Sequence, residues 1–300
     1  MKIPSLVLIA LPAFCLILPV GGCVAAPTPL QSELSRERIA CYVEPDRPDS
    51  DVLCPAGTVY LMAGDGSDRK EIGEGRYPAW SPDGRALVVV HGCLDDLYIL
   101  DVENGESRKL ANPKNTYGVT GPSWSPDGDK IAFAIDYNSI WLVTADGAEL
   151  RELAIYGPGF VVDPPSWSPT RAKIAFGLSG PGDKSCHIYV MNDDGANLTQ
   201  LTHGPGCYYD PIWSSRADRI LFHSFNKGDR QIFVMNPDGS ELTGLGPGIA
   251  HAWSPDGTRI YFQVGDGYLW TMNADGSNRT RLFKLNCKAP AWSPVLEEAD

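Results

Sequence analysis

Three hundred residues, 43% of them apolar and 21% charged, are enough for a folded domain with a sizeable core. The net charge of −12 sets aside nucleic acid and anionic membrane surfaces as the main partner, since both would repel the chain, although much of the acidity sits in turn aspartates. The eight cysteines include no C-x-x-C pair, which sets aside a structural zinc site.

In chain order, residues 1–22 read as an export signal. Lys2 is a minimal charged region, residues 3–20 form an apolar core, and Val20-Gly21-Gly22-Cys23 resembles a bacterial lipobox. Small residues there let a peptidase approach the backbone beside the cysteine to be lipidated. The alternative is an ordinary signal cut after Val24-Ala25-Ala26, which would leave Pro27 following the scissile bond. Pro4, Pro12 and Pro19 argue against a transmembrane anchor in a stretch barely long enough for one. Residues 23–35 read as a tether from a lipid on Cys23, and residues 36–300 as one domain.

From residue 36 a unit recurs with a tryptophan as its marker: Trp80, Trp124, Trp167, Trp213, Trp253 and Trp292, spaced 44, 43, 46, 40 and 39 residues apart. A period near forty is that of a four-stranded propeller blade. Each unit parses into strand A ending in Trp-Ser-Pro, a Pro-Asp-Gly turn, and strand B (Lys130-Ile131-Ala132-Phe133). Strand C (Ile188-Tyr189-Val190-Met191) follows, then a second turn and a short strand D ending in leucine (Leu198-Thr199-Gln200-Leu201). Proline presets φ, aspartate caps its own backbone, and glycine takes the positive φ of each corner. Counting C strands predicts six blades. The first, Arg38-Ile39-Ala40-Cys41-Tyr42 onward, lacks a strand A, and the last Trp292-Ser293-Pro294 lacks a strand B. These halves are expected to complete one blade, three strands from the N-terminus and one from the C-terminus, leaving no open edge. The fold class is all-β, a six-bladed β-propeller.

The repeated W-S-P-D-G and N-x-D-G turns resemble those of the TolB-like propeller family, relatives of WD-type repeats, over roughly residues 36–296. Pro169-Thr170-Arg171 and Ser214-Ser215-Arg216 depart from the turn pattern without changing the register. TolB itself carries an α/β domain before its propeller, for which this chain has no room. The resemblance also implies kinships with the substrate-gating propellers of serine peptidases, whose peptidase half is absent, and with propellers that host lyase or hydrolase sites.

In an up-and-down blade the B–C and D–A connections share one face, where they are long and individual, and rigidly placed loops are where function concentrates. Residues just before each tryptophan should ring the channel mouth on that face. The candidate binding residues are Tyr77, Tyr117, Asp163, Tyr208, Tyr209, Asp210 and His251. The same geometry brings Cys186 to Cys207 and lets Cys54 reach Cys287 across the seam, with Cys93 a rival partner for Cys54 and Cys41 a free core thiol. In an oxidising compartment disulfides are expected.

The tryptophans read as inter-blade packing rather than sugar platforms, and the Asn-x-Asp-Gly turns as turns rather than calcium loops, lacking the distal glutamate. Five scattered histidines form no H-E-x-x-H motif, though His223 and His251 can approach each other; no G-x-S-x-G elbow is present. No cofactor or metal is expected. The expectation is a non-catalytic binding module exported to the bacterial cell envelope, anchored by Cys23, monomeric, with an envelope protein or peptide as partner. The alternative is a saccharide- or uronate-acting lyase or hydrolase using Asp163, Asp210 and His251.

Overall fold

The computed structural model describes residues 28–44, 57–92, 96–113, 118–170, 172–226 and 229–294, with two short paired strands, Cys15–Ile17 and Cys23–Ala25. The rest of the segment read as an export signal, Cys54, Cys93 and Tyr117 lie outside the described residues.

Six antiparallel sheets form a ring of six blades. Blade one takes strands B, C and D from Arg38–Val43, Thr58–Ala63 and Lys70–Glu74, and strand A from Lys288–Trp292. Blades two to six follow in sequence, their A strands ending at Trp80, Trp124, Trp167, Trp213 and Trp253. Blade four differs in that its strand A is split into Val161–Val162 and Ser166–Trp167.

Strand B is apolar on both faces because each face meets a different blade. One cluster joins Val88, Val90 and Leu97 of blade two to Val119, Ile131 and Phe133 of blade three. Strand D, at the rim, is largely exposed, as at Ser107–Ala111. The tryptophans tie neighbours together: the indole Nε1 of Trp80 donates to the Ala291 carbonyl (3.0 Å), that of Trp124 to Ala79 (3.2 Å), and that of Trp253 to Ile212 (3.3 Å). A ring of this kind buries roughly 150–250 Å², and in these three blades its one polar atom is satisfied by the preceding blade.

In blades two, three, five and six the serine after the tryptophan organises the A–B turn. Ser81 Oγ donates to Asp83 Oδ1 (2.6 Å) and accepts from the Ala86 N–H (2.9 Å), and Asp83 takes the Arg85 N–H (3.1 Å). Blade five keeps this turn without its glycine: Ala217 adopts φ 55° and Asp218, one residue later, receives the Ser214 hydroxyl.

At the seam, Lys288, Ala291 and Trp292 pair with Tyr42, Ala40 and Ile39. A disulfide does cross it, but it joins Cys287 to Cys41 (Cα–Cα 5.8 Å), not to Cys54. The expectation that Cys41 is a free core thiol is corrected for the same reason: strand pairing places it beside the start of the C-terminal strand, within the same buried cluster as Cys287. Closing a separation of 246 residues is worth about 5 kcal/mol in the chain-entropy model, against about 3 for the Cys186–Cys207 bond, which forms as expected across 21.

Within the segment read as a tether, Pro29–Leu34 is a helix capped by Thr28. Leu34 sinks into the blade-one and blade-six core, and Glu33 pairs with Arg259. Next to it, buried Glu37 accepts from the Tyr261 hydroxyl, from Trp292 Nε1 (3.1 Å) and from Arg259 (3.0 Å). Burial pushes its carboxyl above the ordinary range, while these donors favour the ionised form. Both seam strands therefore meet at one buried carboxyl on the A–B turn face.

Candidate functional site

Strand A bends before its tryptophan. Its register against strand B shifts between Arg76 and Ala79, Thr120 and Ser123, Tyr209 and Ile212, and Lys288 and Ala291. At each shift a residue in the left-handed region precedes a proline: Tyr77 (φ 51°), Gly121 (57°), Asp210 (50°) and Ala289 (44°). Such bulges re-aim side chains, here Tyr77 and Asp210 toward the channel. The proline that follows needs no ladder partner on the innermost strand, which is an edge.

Two positions before the tryptophan stand Pro78, Pro122, Pro165, Pro211 and Pro290, all on the channel wall. In blade six the same position is His251. It is the one imidazole in a ring otherwise made of proline.

The channel holds two connected spaces. One, of about 500 Å³, opens on the A–B turn face and is lined by all six repeat tryptophans. The other, of about 360 Å³, opens on the B–C/D–A face and is lined by Tyr77, Asp210, His251 and the prolines. Pro122, Pro290 and His251 border both.

Around the second mouth, Asp163 Oδ2 accepts the Asp210 N–H (3.4 Å) and packs against the α-carbon of Gly177, where a Cβ would stand 2.2 Å from the carboxylate oxygen. Asp210 Oδ2 lies 3.8 Å from His223 Nε2, and the Tyr209 ring lies 6.2 Å from the His223 ring. Burial and the neighbouring Asp210 push the Asp163 carboxyl up to about 7. Burial also raises Asp210, although its side chain is 48% exposed because it faces the channel. Burial, with Arg230 adding to it, holds His223 down at about 4; burial likewise lowers His251 to about 4, with His223 and Arg230 adding and Gln263 opposing. Tyr209 is raised by burial and by both aspartates.

The sequence-predicted set is thus only partly assembled. Asp163, Tyr209, Asp210 and His251 gather at the blade-four to blade-six side, and Tyr77 stands opposite on blade two, edge-on to Tyr42 at 5.5 Å. Tyr208 turns the other way, its ring packed against Phe222 (5.6 Å) and Phe233 (5.9 Å). Strand alternation separates it from Tyr209. Sequence reading paired His223 with His251 but missed its contact with Asp210, and missed Gly177; the proline ring and its single interruption were visible two residues before every tryptophan. Among the described residues no three His, Cys, Asp or Glu side chains are grouped to hold a metal.

Residues 139–262 match the family model described as the TolB beta propeller domain. The uncharacterized peptidase YuxL of Bacillus subtilis is 46% identical over 61 residues, 19% of this chain and 9% of that protein. The Tol-Pal system protein TolB of Anaeromyxobacter dehalogenans is 30% identical over 101 residues, 32% of this chain and 23% of that protein. The chain therefore spans less than a quarter of the length of either relative. Among solved structures, TolB from Acinetobacter baumannii superposes with a TM-score of 0.71 at 21% identity, over 88% of this chain and 68% of that one. An oligogalacturonate lyase in complex with manganese gives 0.59 at 17%, over 82% and 78%. These two structural likenesses show the fold.

Proposed function

Because this chain is a TolB-like six-bladed β-propeller, we propose that it is a non-catalytic binding protein of the cell envelope, presenting its B–C/D–A face to a protein or peptide. The observation that carries the reading is the distribution of exposed apolar side chains. Of the six large hydrophobic residues most exposed among those described, Tyr137 (53%), Ile155 (60%), Val161 (46%) and Phe225 (48%) lie at the B–C/D–A ends of their strands; Leu198 and Leu242 do not. Apolar patches rimmed by polar groups mark interaction surfaces for macromolecules. The partner class is supported by a similarity to a Tol-Pal system protein.

Export and lipidation at Cys23 fit this geometry. The helix Pro29–Leu34 sits at the A–B turn face, so a lipid upstream of it turns the tryptophan end toward the membrane and the B–C/D–A face away from it. Among the described residues no helix is long and apolar enough to cross a membrane. The test is capture of envelope proteins by the full chain. A discrete partner should be lost with Tyr209→Ala/Asp210→Ala and retained with Leu198→Ser/Leu242→Ser; the reverse pattern overturns the face assignment.

A second reading is favoured by one feature, the carboxyl of Asp163 held near neutrality beside Asp210, which is a property of acid–base groups. It would make the mouth a site for lyase or hydrolase chemistry on a saccharide or uronate. Turnover of a polysaccharide panel, lost in Asp163→Asn, would establish it and displace the binding role.

A further inference from the structure

The two disulfides are placed differently. Cys41–Cys287 closes the ring: Cys41 is fully buried and Cys287 packs on the same core cluster. Cys186–Cys207 joins two loops on the B–C/D–A face, the B–C loop of blade four and the connection into blade five, and both of its cysteines are partly exposed. The blades on either side are packed without it, since Ala175, Ile188 and Val190 of blade four share a core cluster with Trp213, Ile220 and Phe222 of blade five. Residues 181–184 and 203–205 of the two loops are exposed, and at Gly182 and Gly204 there is open space where a side chain would stand. Between the loops run two backbone hydrogen bonds, from the Cys186 N–H to the Gly206 carbonyl (3.1 Å) and from the Tyr208 N–H to the Cys186 carbonyl (3.0 Å). Cys207 Sγ lies 3.8 Å from the carbonyl of exposed Lys184. Cys186 Sγ instead accepts from the Tyr209 hydroxyl (3.4 Å).

We propose that Cys186–Cys207 is a redox latch on Tyr209, opened by a dithiol while the propeller stays folded. Its opening weakens capture at the B–C/D–A face, an effect that rests on the binding-protein reading of that face. The bond ties the connection to the B–C loop two residues before Tyr209 and fixes the sulfur to which the Tyr209 hydroxyl donates. Once it opens, two backbone hydrogen bonds between exposed loops are what holds them together. Segments with so few buried contacts open at low cost while the core stays intact.

One thiolate of the dithiol attacks Cys207 Sγ, the sulfur beside the exposed loop, and the S–S bond breaks with its electron pair going to Cys186. The Tyr209 O–H, already directed at Cys186 Sγ, donates to the departing thiolate until solvent protonates it. The second thiol of the reductant then attacks the mixed disulfide, releases Cys207 and closes its own disulfide. Two electrons and two protons pass to the protein, and two cysteine thiols replace the bond. Reoxidation by a disulfide runs the same exchange backwards.

The experiment exposes the full chain to dithiothreitol at neutral pH, traps thiols with iodoacetamide and follows each cysteine by peptide mass spectrometry. Hydrogen exchange and far-ultraviolet circular dichroism are recorded on the same samples. Cys186 and Cys207 are expected to be labelled about tenfold sooner than Cys41 and Cys287, because access to the sulfur sets the rate. Hydrogen exchange should then rise at residues 181–187 and 203–210, with the circular dichroism unchanged, and fall back on adding oxidised glutathione. Tyr209→Phe should slow the labelling about threefold. Cys186→Ser/Cys207→Ser should show the exchange pattern of the reduced chain and no response to dithiothreitol. Opening of both disulfides together, as the chain unfolds, overturns the proposal. So does exchange at residues 207–210 that reduction leaves unchanged, which would make the bond a staple with no hold on Tyr209. An envelope partner captured equally by the oxidised and reduced chains sinks this inference and leaves the binding-protein reading standing. Local opening with no partner captured in either state does the opposite.

Discussion

The two ends of the channel are built from the same strand and obey different rules. At the A–B turn end, side chains repeat: every blade offers a tryptophan and a buried serine, and three of the indoles, those of Trp80, Trp124 and Trp253, donate to the blade before. At the B–C/D–A end, side chains differ from blade to blade, the His223 and His251 rings each leave a nitrogen without a partner, and the Asp163 carboxyl accepts from the backbone N–H of Asp210. The first end is where apolar area is removed from water, although there too the Ser168 hydroxyl and the Trp213 indole have no partner. The second holds groups that cost stability in the free protein. A mouth whose side chains differ from blade to blade is where a partner can be read, because the repeat itself does not require those differences.

The comparison breaks most visibly at the tryptophan end. Trp253→Ala should cost about 4 kcal/mol in urea unfolding while partner capture by the folded fraction is unchanged. A loss of capture from fully folded protein would show that this end binds too. Next, Glu37→Gln removes the charge that holds Arg259 and the Tyr261 and Trp292 donors at the seam, and should cost about 3 kcal/mol by the same measurement.

At the other end the signs reverse. Asp163 keeps its proton to about pH 7 when folded, whereas the unfolded side chain gives it up near its ordinary value. Its contribution is therefore full in acid and is lost as pH rises through about 7. Asp163→Asn should remove that decline and exceed the wild type by roughly 1–2 kcal/mol at about pH 8, after allowance for screening. His251 works in the opposite direction: uncharged in the fold down to about pH 4, it contributes fully above its ordinary value and the contribution is lost as pH falls toward 4. His251→Gln should flatten the acid limb of melting temperature against pH. Smallest of all, Tyr209→Ala should change stability by about 1 kcal/mol or less while abolishing capture.

The ring, its blade count and the three-plus-one closure were legible in the sequence, because tryptophan spacing and turn chemistry are local and repeat. The disulfide between Cys186 and Cys207 was legible for the same reason, since the two cysteines flank one connection. The Cys41–Cys287 bond was not. Strand alternation aligned Cys41 with Phe133 and Phe176, and only the seam register shows it beside Cys287. At the mouth, the candidates on strand A were found because position before a tryptophan can be counted. Tyr208 and Tyr209 face opposite ways by strand alternation alone, whereas the company of Asp210 with His223 depended on pairing between strands. Glu37 gave no signal, since its three donors come from residues more than two hundred positions away.

The seam also sets an order of events. Blade one stays three-stranded, with the edge of Arg38–Val43 unpaired, until Lys288–Trp292 has been synthesised. No earlier part of the chain can supply that strand's tryptophan to Glu37 or its neighbouring cysteine to Cys41. Closure is consequently a late step, governed by the arrival of the last strand rather than by the folding of any blade. Until then the polypeptide is an open arc whose two ends are sticky.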